Sequence, residues 1–174
     1  MRQRGESVAV GPLLGLADPG LEAPEWKVSR WFGVAAGPTL AELRGRVIVM
    51  EAFQMLCPGC VSHGLPQAAR IHATFSAAGV TVVGLHSVFE HHAVMGPDAL
   101  EVFLGEYRVA FPVAVDMPGN PGPIPLTMRA YELDGTPTLL LIDRQGHLRA
   151  RHFGAISDLV IGAQIAHLLH EDHE

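Results

Sequence analysis

The sequence predicts an α/β protein, with a mixed central β-sheet flanked by helices and an N-terminal extension. Three observations point there. Two runs, Arg46–Phe53 and Val80–His86, are nearly all apolar, as strands covered on both faces are. Between them Val61, Leu65, Ala68, His72 and Phe75 recur at spacings of four and three, the stripe of one helix. Late in the chain a strand, a tight turn and a second strand follow one another, and an amphipathic segment closes the sequence.

Taken in order, residues 1–25 are rich in Gly, Pro and small side chains and are expected to form an irregular arm. The domain proper is expected to span 26–174. Trp26–Phe32 has strand composition, with Trp26 and Trp31 as packing anchors for the added segment. Gly33–Pro38 breaks the chain. Thr39 and Glu42 have the spacing of a capping box for one helical turn through Leu43. After the first apolar strand, Pro66 falls inside the helical stripe and predicts a kink, and Gly79 is placed to end the helix. A loop follows over Ser87–Gly96. Pro97–Ala110 reads as a helix with Pro in its first turn, and Phe111–Val115 as a short strand. Pro118–Pro125 holds four prolines and is expected to be irregular. Leu126–Leu133 fits one or two helical turns. Thr138–Ile142, the turn Asp143–Gly146 and His147–Phe153 form the hairpin. Ser157 or Asp158 caps the final helix to about His170, and His170–Glu174 is expected to fray.

Composition narrows the function. The chain has 174 residues, 48% of them apolar, enough for a core without disulfide staples. Its 12 Lys and Arg against 18 Asp and Glu give a formal charge of −6, which offers no basic field for nucleic acid or an anionic membrane. No apolar run reaches a membrane span, and residues 1–20 do not make a convincing export signal, since the apolar stretch is broken by Gly11, Pro12 and Gly15 and Asp18 follows soon after. The expected location is cytoplasmic, or periplasmic if the true start lies elsewhere. No Gly-rich phosphate loop sits between a strand and a helix, so no organic cofactor is expected.

The chemistry concentrates at the two cysteines, Cys57 and Cys60. A disulfide closing so short a loop would stabilise little. The segment Phe53-Gln54-Met55-Leu56-Cys57-Pro58-Gly59-Cys60 follows a buried strand and opens a helix. A cysteine at a helix start meets free N–H groups and the positive end of the dipole, both of which favour thiolate. Thiolate is the attacking species in disulfide exchange. Cys57, nearer the helix start, is assigned as nucleophile. Cys60, one turn on, would resolve the mixed disulfide.

Three linked stretches resemble the thioredoxin superfamily, and its TlpA/ResA-like branch in particular. They are the strand–CPGC–helix unit Val47–Pro66, the lead-in Leu40-Ala41-Glu42-Leu43-Arg44-Gly45-Arg46-Val47-Ile48-Val49, and Gly135-Thr136-Pro137-Thr138 with the hairpin after it. The resemblance covers about residues 27–170 and implies a thioredoxin-like fold and thiol–disulfide oxidoreductase activity on a protein or small-molecule thiol/disulfide substrate. It implies that Pro137 is a cis-proline facing the cysteines, where residues alone allow an ordinary trans proline. It implies that Thr136 offers backbone groups to substrate. Glu51, six residues before Cys57, would be a buried acid able to take the Cys60 proton; the alternative is a strand-end carboxylate paired with an Arg. Leu56 stands where the family often has Trp, Gln54 and Met55 are unusual in that turn, and Pro66 lies one residue further from Cys60 than the usual kinking proline.

Rival readings are specific. A peroxiredoxin-like peroxidase needs Pro and Thr or Ser where Met50 and Gln54 stand. A Sco-like copper or zinc carrier would recruit His86, His91 or His92 to the cysteines, although a structural zinc site needs four ligands. His91 and His92 read otherwise as a polar loop, His63 as a solvated helix-face residue or a thiolate stabiliser, and His72 as a core-edge residue with a hydrogen-bond partner.

Overall fold

The computed structural model describes residues 14–171. Six strands form one sheet in the order β1-β4-β3-β2-β5-β6. They are β1 (Val28–Phe32), β2 (Val47–Phe53), β3 (Val80–His86), β4 (Val113–Asp116), β5 (Thr138–Ile142) and β6 (Leu148–Phe153). β2, β3 and β4 run parallel, whereas β1, β5 and β6 are antiparallel to their neighbours. The helices are α1 (Leu65–Phe75), α2 (Pro97–Glu106), α3 (Leu126–Ala130) and α4 (Asp158–His170). Among the described residues no helix is long and apolar enough to cross a membrane.

β2 is central because every one of its residues is buried. Its two faces feed different cores. Val47, Val49 and Phe53 pack with Leu65, Ala68 and Ile71 of α1, Leu100 and Leu104 of α2, and Ile161, Ile165 and Leu168 of α4. Ile48, Met50 and Ala52 pack on the other side with Trp26, Leu43, Met128 and Tyr131. The period of two places Glu51 on the first face, the one covered by α1.

Most expected elements stand where the patterns put them, and the departures have local causes. The helix at Pro97 ends at Glu106 rather than Ala110, because Arg108 turns into the left-handed region at φ 52° and Val109 N–H bonds back to Leu104. The strand expected over 111–115 is Val113–Asp116, since Pro112 has no N–H to pair. His147 is drawn out of β6 by its N–H bond to the Asp143 carboxylate. Pro66 does not kink an α-helix. Cys60–Gly64 forms a π-helical turn instead, and Pro66 sits at the start of α1, where its missing N–H costs nothing. Thr39 and Glu42 make both bonds of the capping box, around a turn rather than a helix.

Trp26 donates its indole N–H to Pro38 O and meets Trp31 edge-on, with centroids 5.9 Å apart. The described part of the arm lies along β6 through Ala17, Leu21 and Ala23; residues 1–13 of that expected segment fall outside the described residues. The chain does not fray at Glu171. The buried Arg149 guanidinium pairs with Glu171 and Asp143 and donates to Ala17 O, so one side chain ties the arm, the hairpin turn and the C-terminal helix together. Residues 172–174 lie outside the described residues.

Candidate active site

β2 delivers the chain to the site at one end of the sheet. After Phe53 the turn Gln54–Leu56 closes with Cys57 N–H donating to Gln54 O at 3.1 Å. Cys57 is half-buried between exposed Leu56 and Pro58, and Cys60 is fully buried. Both are free thiols. Cys60 N–H donates to Cys57 Sγ at 3.3 Å, and the Cys57 thiol lies 3.5 Å from Thr136 O.

Thr136 and Pro137 come from the loop before β5. The Thr136–Pro137 peptide is cis. Pro137 is buried against the cysteine turn, so close that a Cβ on Gly59 would lie 3.2 Å from its ring. Thr138 Oγ1 donates to Gly135 O, and Gly154 N–H to Pro137 O, fixing the loop at both ends. Burial pushes the Cys60 thiol up to about 12, and its hydrogen bond with Cys57 adds to that, while the Gln54 backbone and the Thr136 side chain work the other way.

Glu51 is buried, with no Arg beside it among the described contacts, and its Oε1 has no hydrogen-bond partner. Desolvation raises its carboxyl to about 8, and the nearby Cys57 charge adds to the rise. Gly64, the last residue of the π-helical turn, lies directly over it. A Cβ there would overlap the Glu51 carboxyl and come within 2.9 Å of Pro137. The π turn thus brings the one residue without a side chain to the point where the acid, the helix and the cis-proline meet. Sequence reasoning passed over Gly64; a glycine inside the helical stripe was the available signal.

The histidines do not assemble as a ligand set. His86 is buried, accepts from Met55 N–H through Nε2 at 3.4 Å, and is held down to about 4 by desolvation. His91 and His92 are exposed in the following loop. No group of three His, Cys, Asp or Glu suited to a metal ion occurs among the described residues. His63, within the π turn, is half-buried with Nε2 buried and unpartnered, so it is not the fully solvated residue expected on the helix face. His72 Nδ1 also lacks the expected partner; its ring packs 6.1 Å from Phe111.

Gln54 is buried as well. Its Oε1 accepts Phe89 N–H at 3.3 Å, and its Nε2 lies 3.4 Å from Glu90 Oε1. The residue that looked anomalous in the sequence therefore anchors the loop after β3 to the cysteine turn.

No protein-family model and no curated protein matches the chain. Solved structures do. A crystal structure of a thioredoxin-like superfamily protein is 56% identical, covers 89% of this chain and 100% of its own, and superposes with a TM-score of 0.86. A thiol-disulfide isomerase from Corynebacterium glutamicum is 50% identical over 86% of this chain and 98% of its own, with a TM-score of 0.81. A protein from Chlorobium tepidum described as a thiol:disulfide interchange protein DsbE is 27% identical over 87% of this chain and 98% of its own, at 0.69. Identity at this level across nearly the full described chain, with TM-scores above 0.8, means that the chain belongs to the thioredoxin-like superfamily, among its thiol–disulfide oxidoreductases.

Proposed function

We propose that residues 26–174 form a dithiol exchange domain working through Cys57-Pro58-Gly59-Cys60 on a protein or small thiol/disulfide partner. The observation that carries this reading is the pairing of a half-exposed Cys57 sulfur with a fully buried Cys60 one turn behind it, both against the cis-Pro137 loop. Cys57 thiolate attacks a substrate sulfur, the substrate S–S bond breaks, and one substrate thiolate leaves. Cys60 then loses its proton and attacks Cys57 Sγ, expelling the second thiolate. Two electrons pass from the dithiol to the substrate, and the protein is left with a Cys57–Cys60 disulfide.

Glu51 supplies the proton acceptor for the second step. A thiol held up at about 12 does not ionise unaided near neutral pH. While Cys57 is a thiolate, its charge opposes ionisation of Glu51. Once Cys57 is capped in the mixed disulfide that repulsion is gone, and burial alone then opposes the carboxylate, which makes Glu51 a better proton acceptor at that stage than in the dithiol. Thr136 and Pro137 face the incoming disulfide and offer it the loop backbone.

Trapping tests the reading. Reduced Cys60→Ser is expected to accumulate a mixed disulfide at Cys57 with a substrate disulfide, and Cys57→Ser to accumulate none. Equal trapping by both variants would remove the assignment.

A further inference from the structure

Beside Cys57 lies a cleft of about 260 Å3, room for one long side chain. Leu56, Phe89 and Met95 give it apolar walls, and Cys57 with Thr136 forms one end. Exposed Glu90 and its neighbour His91 also line it, and no Lys or Arg does. The Glu90 carboxylate has a hydrogen-bond partner beneath it. Gln54, itself buried, reaches it from below while holding the neighbouring Phe89 N–H. A carboxylate held by a buried amide, beside a cleft of mixed lining with apolar walls at Leu56, Phe89 and Met95, matches a side chain with an aliphatic stem and a cationic head.

We propose that this cleft is a specificity subsite that selects substrate polypeptides carrying Lys or Arg next to the half-cystine attacked by Cys57. The inference rests on the reading of Cys57 as nucleophile. The stem lies against Leu56, Phe89 and Met95, and the ammonium or guanidinium meets Glu90. Gln54 acts as a positioning residue, since it touches the loop and not the substrate. The chain's overall charge of −6 adds a long-range bias of the same sign.

The test is single-turnover exchange by the pre-reduced full chain, with no other reductant present. The substrates are symmetrical disulfides of the capped tetrapeptide Ala-Xaa-Cys-Ala, with Xaa as Lys, Gln or Glu. Rates are normalised to those of dithiothreitol on the same peptides, which removes their intrinsic electrophilicity. At low salt and about pH 8, where free imidazole is uncharged, the Lys peptide is expected to react about threefold faster than Gln and about tenfold faster than Glu. The preference should shrink in about 0.5 M NaCl. Glu90→Gln should bring the normalised ratios toward one, and Glu90→Lys should invert their order. Ratios of one in the wild-type chain, or a preference that survives Glu90→Gln, would overturn the subsite. Failure of all three peptides to react, or equal reaction by Cys57→Ser, would instead overturn the role of Cys57, and the subsite with it.

Discussion

Glu51→Gln replaces the buried carboxyl by a group of the same shape that carries no charge at any pH. In the folded chain the acid titrates at about 8, against 4.5 for the free group. A pKa raised on folding gives its full stabilisation below the unfolded value and loses it as pH rises through the folded one. Each pH unit of that interval removes about 1.4 kcal/mol. From about pH 5 to about pH 8.5 the wild-type chain should therefore lose up to about 4 kcal/mol that Glu51→Gln keeps. His86 tilts the other way. Its imidazole is held down to about 4 from 6.5, so its contribution is present above about pH 6.5 and is lost as pH falls toward 4. The two slopes oppose one another between about pH 4.5 and 6.5, and above that only the Glu51 slope remains. Urea unfolding of the reduced proteins across this range measures the difference directly. It should widen steadily with pH. A difference that stays constant would show that Glu51 does not titrate in the folded chain as its burial requires. The same variant should resolve the Cys57 mixed disulfide at least about tenfold more slowly, a modest share of what a general base supplies.

Gly64→Ala should cost about 2 kcal/mol and prolong the mixed disulfide, because the new methyl group collides with Glu51 and Pro137. Combining it with Glu51→Ala, which removes the closer of the two clashes and leaves the one with Pro137, should recover part of the thermal midpoint but not the rate. His86→Gln keeps an acceptor near Met55 N–H and should abolish the acid-side loss of about 3 kcal/mol between about pH 6.5 and 4, read from the same urea series. Arg149→Ala leaves Asp143 and Glu171 without their shared cation and should destabilise by about 3–5 kcal/mol, visible as a lower denaturation midpoint with exchange chemistry intact.

How far the sequence could be read follows from which signals are local. The apolar run over β2, the stripe through Leu65 and Ala68 and the hairpin turn at Gly146 are set by neighbouring residues, and they were legible. So was the order of exposure of Cys57 and Cys60, which follows from their places at a helix start. The cis geometry at Pro137 came only through family resemblance, since residues alone leave the trans form open. The parts hidden from the sequence depend on contacts across the fold. The π-helical turn over Cys60–Gly64 leaves no mark in the apolar stripe, whose spacings of four and three run straight through it. Gln54 looked merely odd because its partners, Phe89 and Glu90, lie 35 and 36 residues away. His63, His72 and His86 could not be sorted into exposed and buried by pattern, because a lone histidine fits either side of an apolar stripe. Arg149 sits in an edge strand of mixed polarity, and its partners come from a turn and from the far end of α4.

The most direct test is a redox titration of the purified protein against graded dithiol buffers, read as a maleimide mass shift. Cys57 and Cys60 are expected to titrate together as one two-electron couple, with a midpoint inside the range of roughly −270 to −120 mV that dithiol oxidoreductases span. Independent modification of the two thiols, with no reversible Cys57–Cys60 disulfide at any poise, would contradict the exchange chemistry at its root.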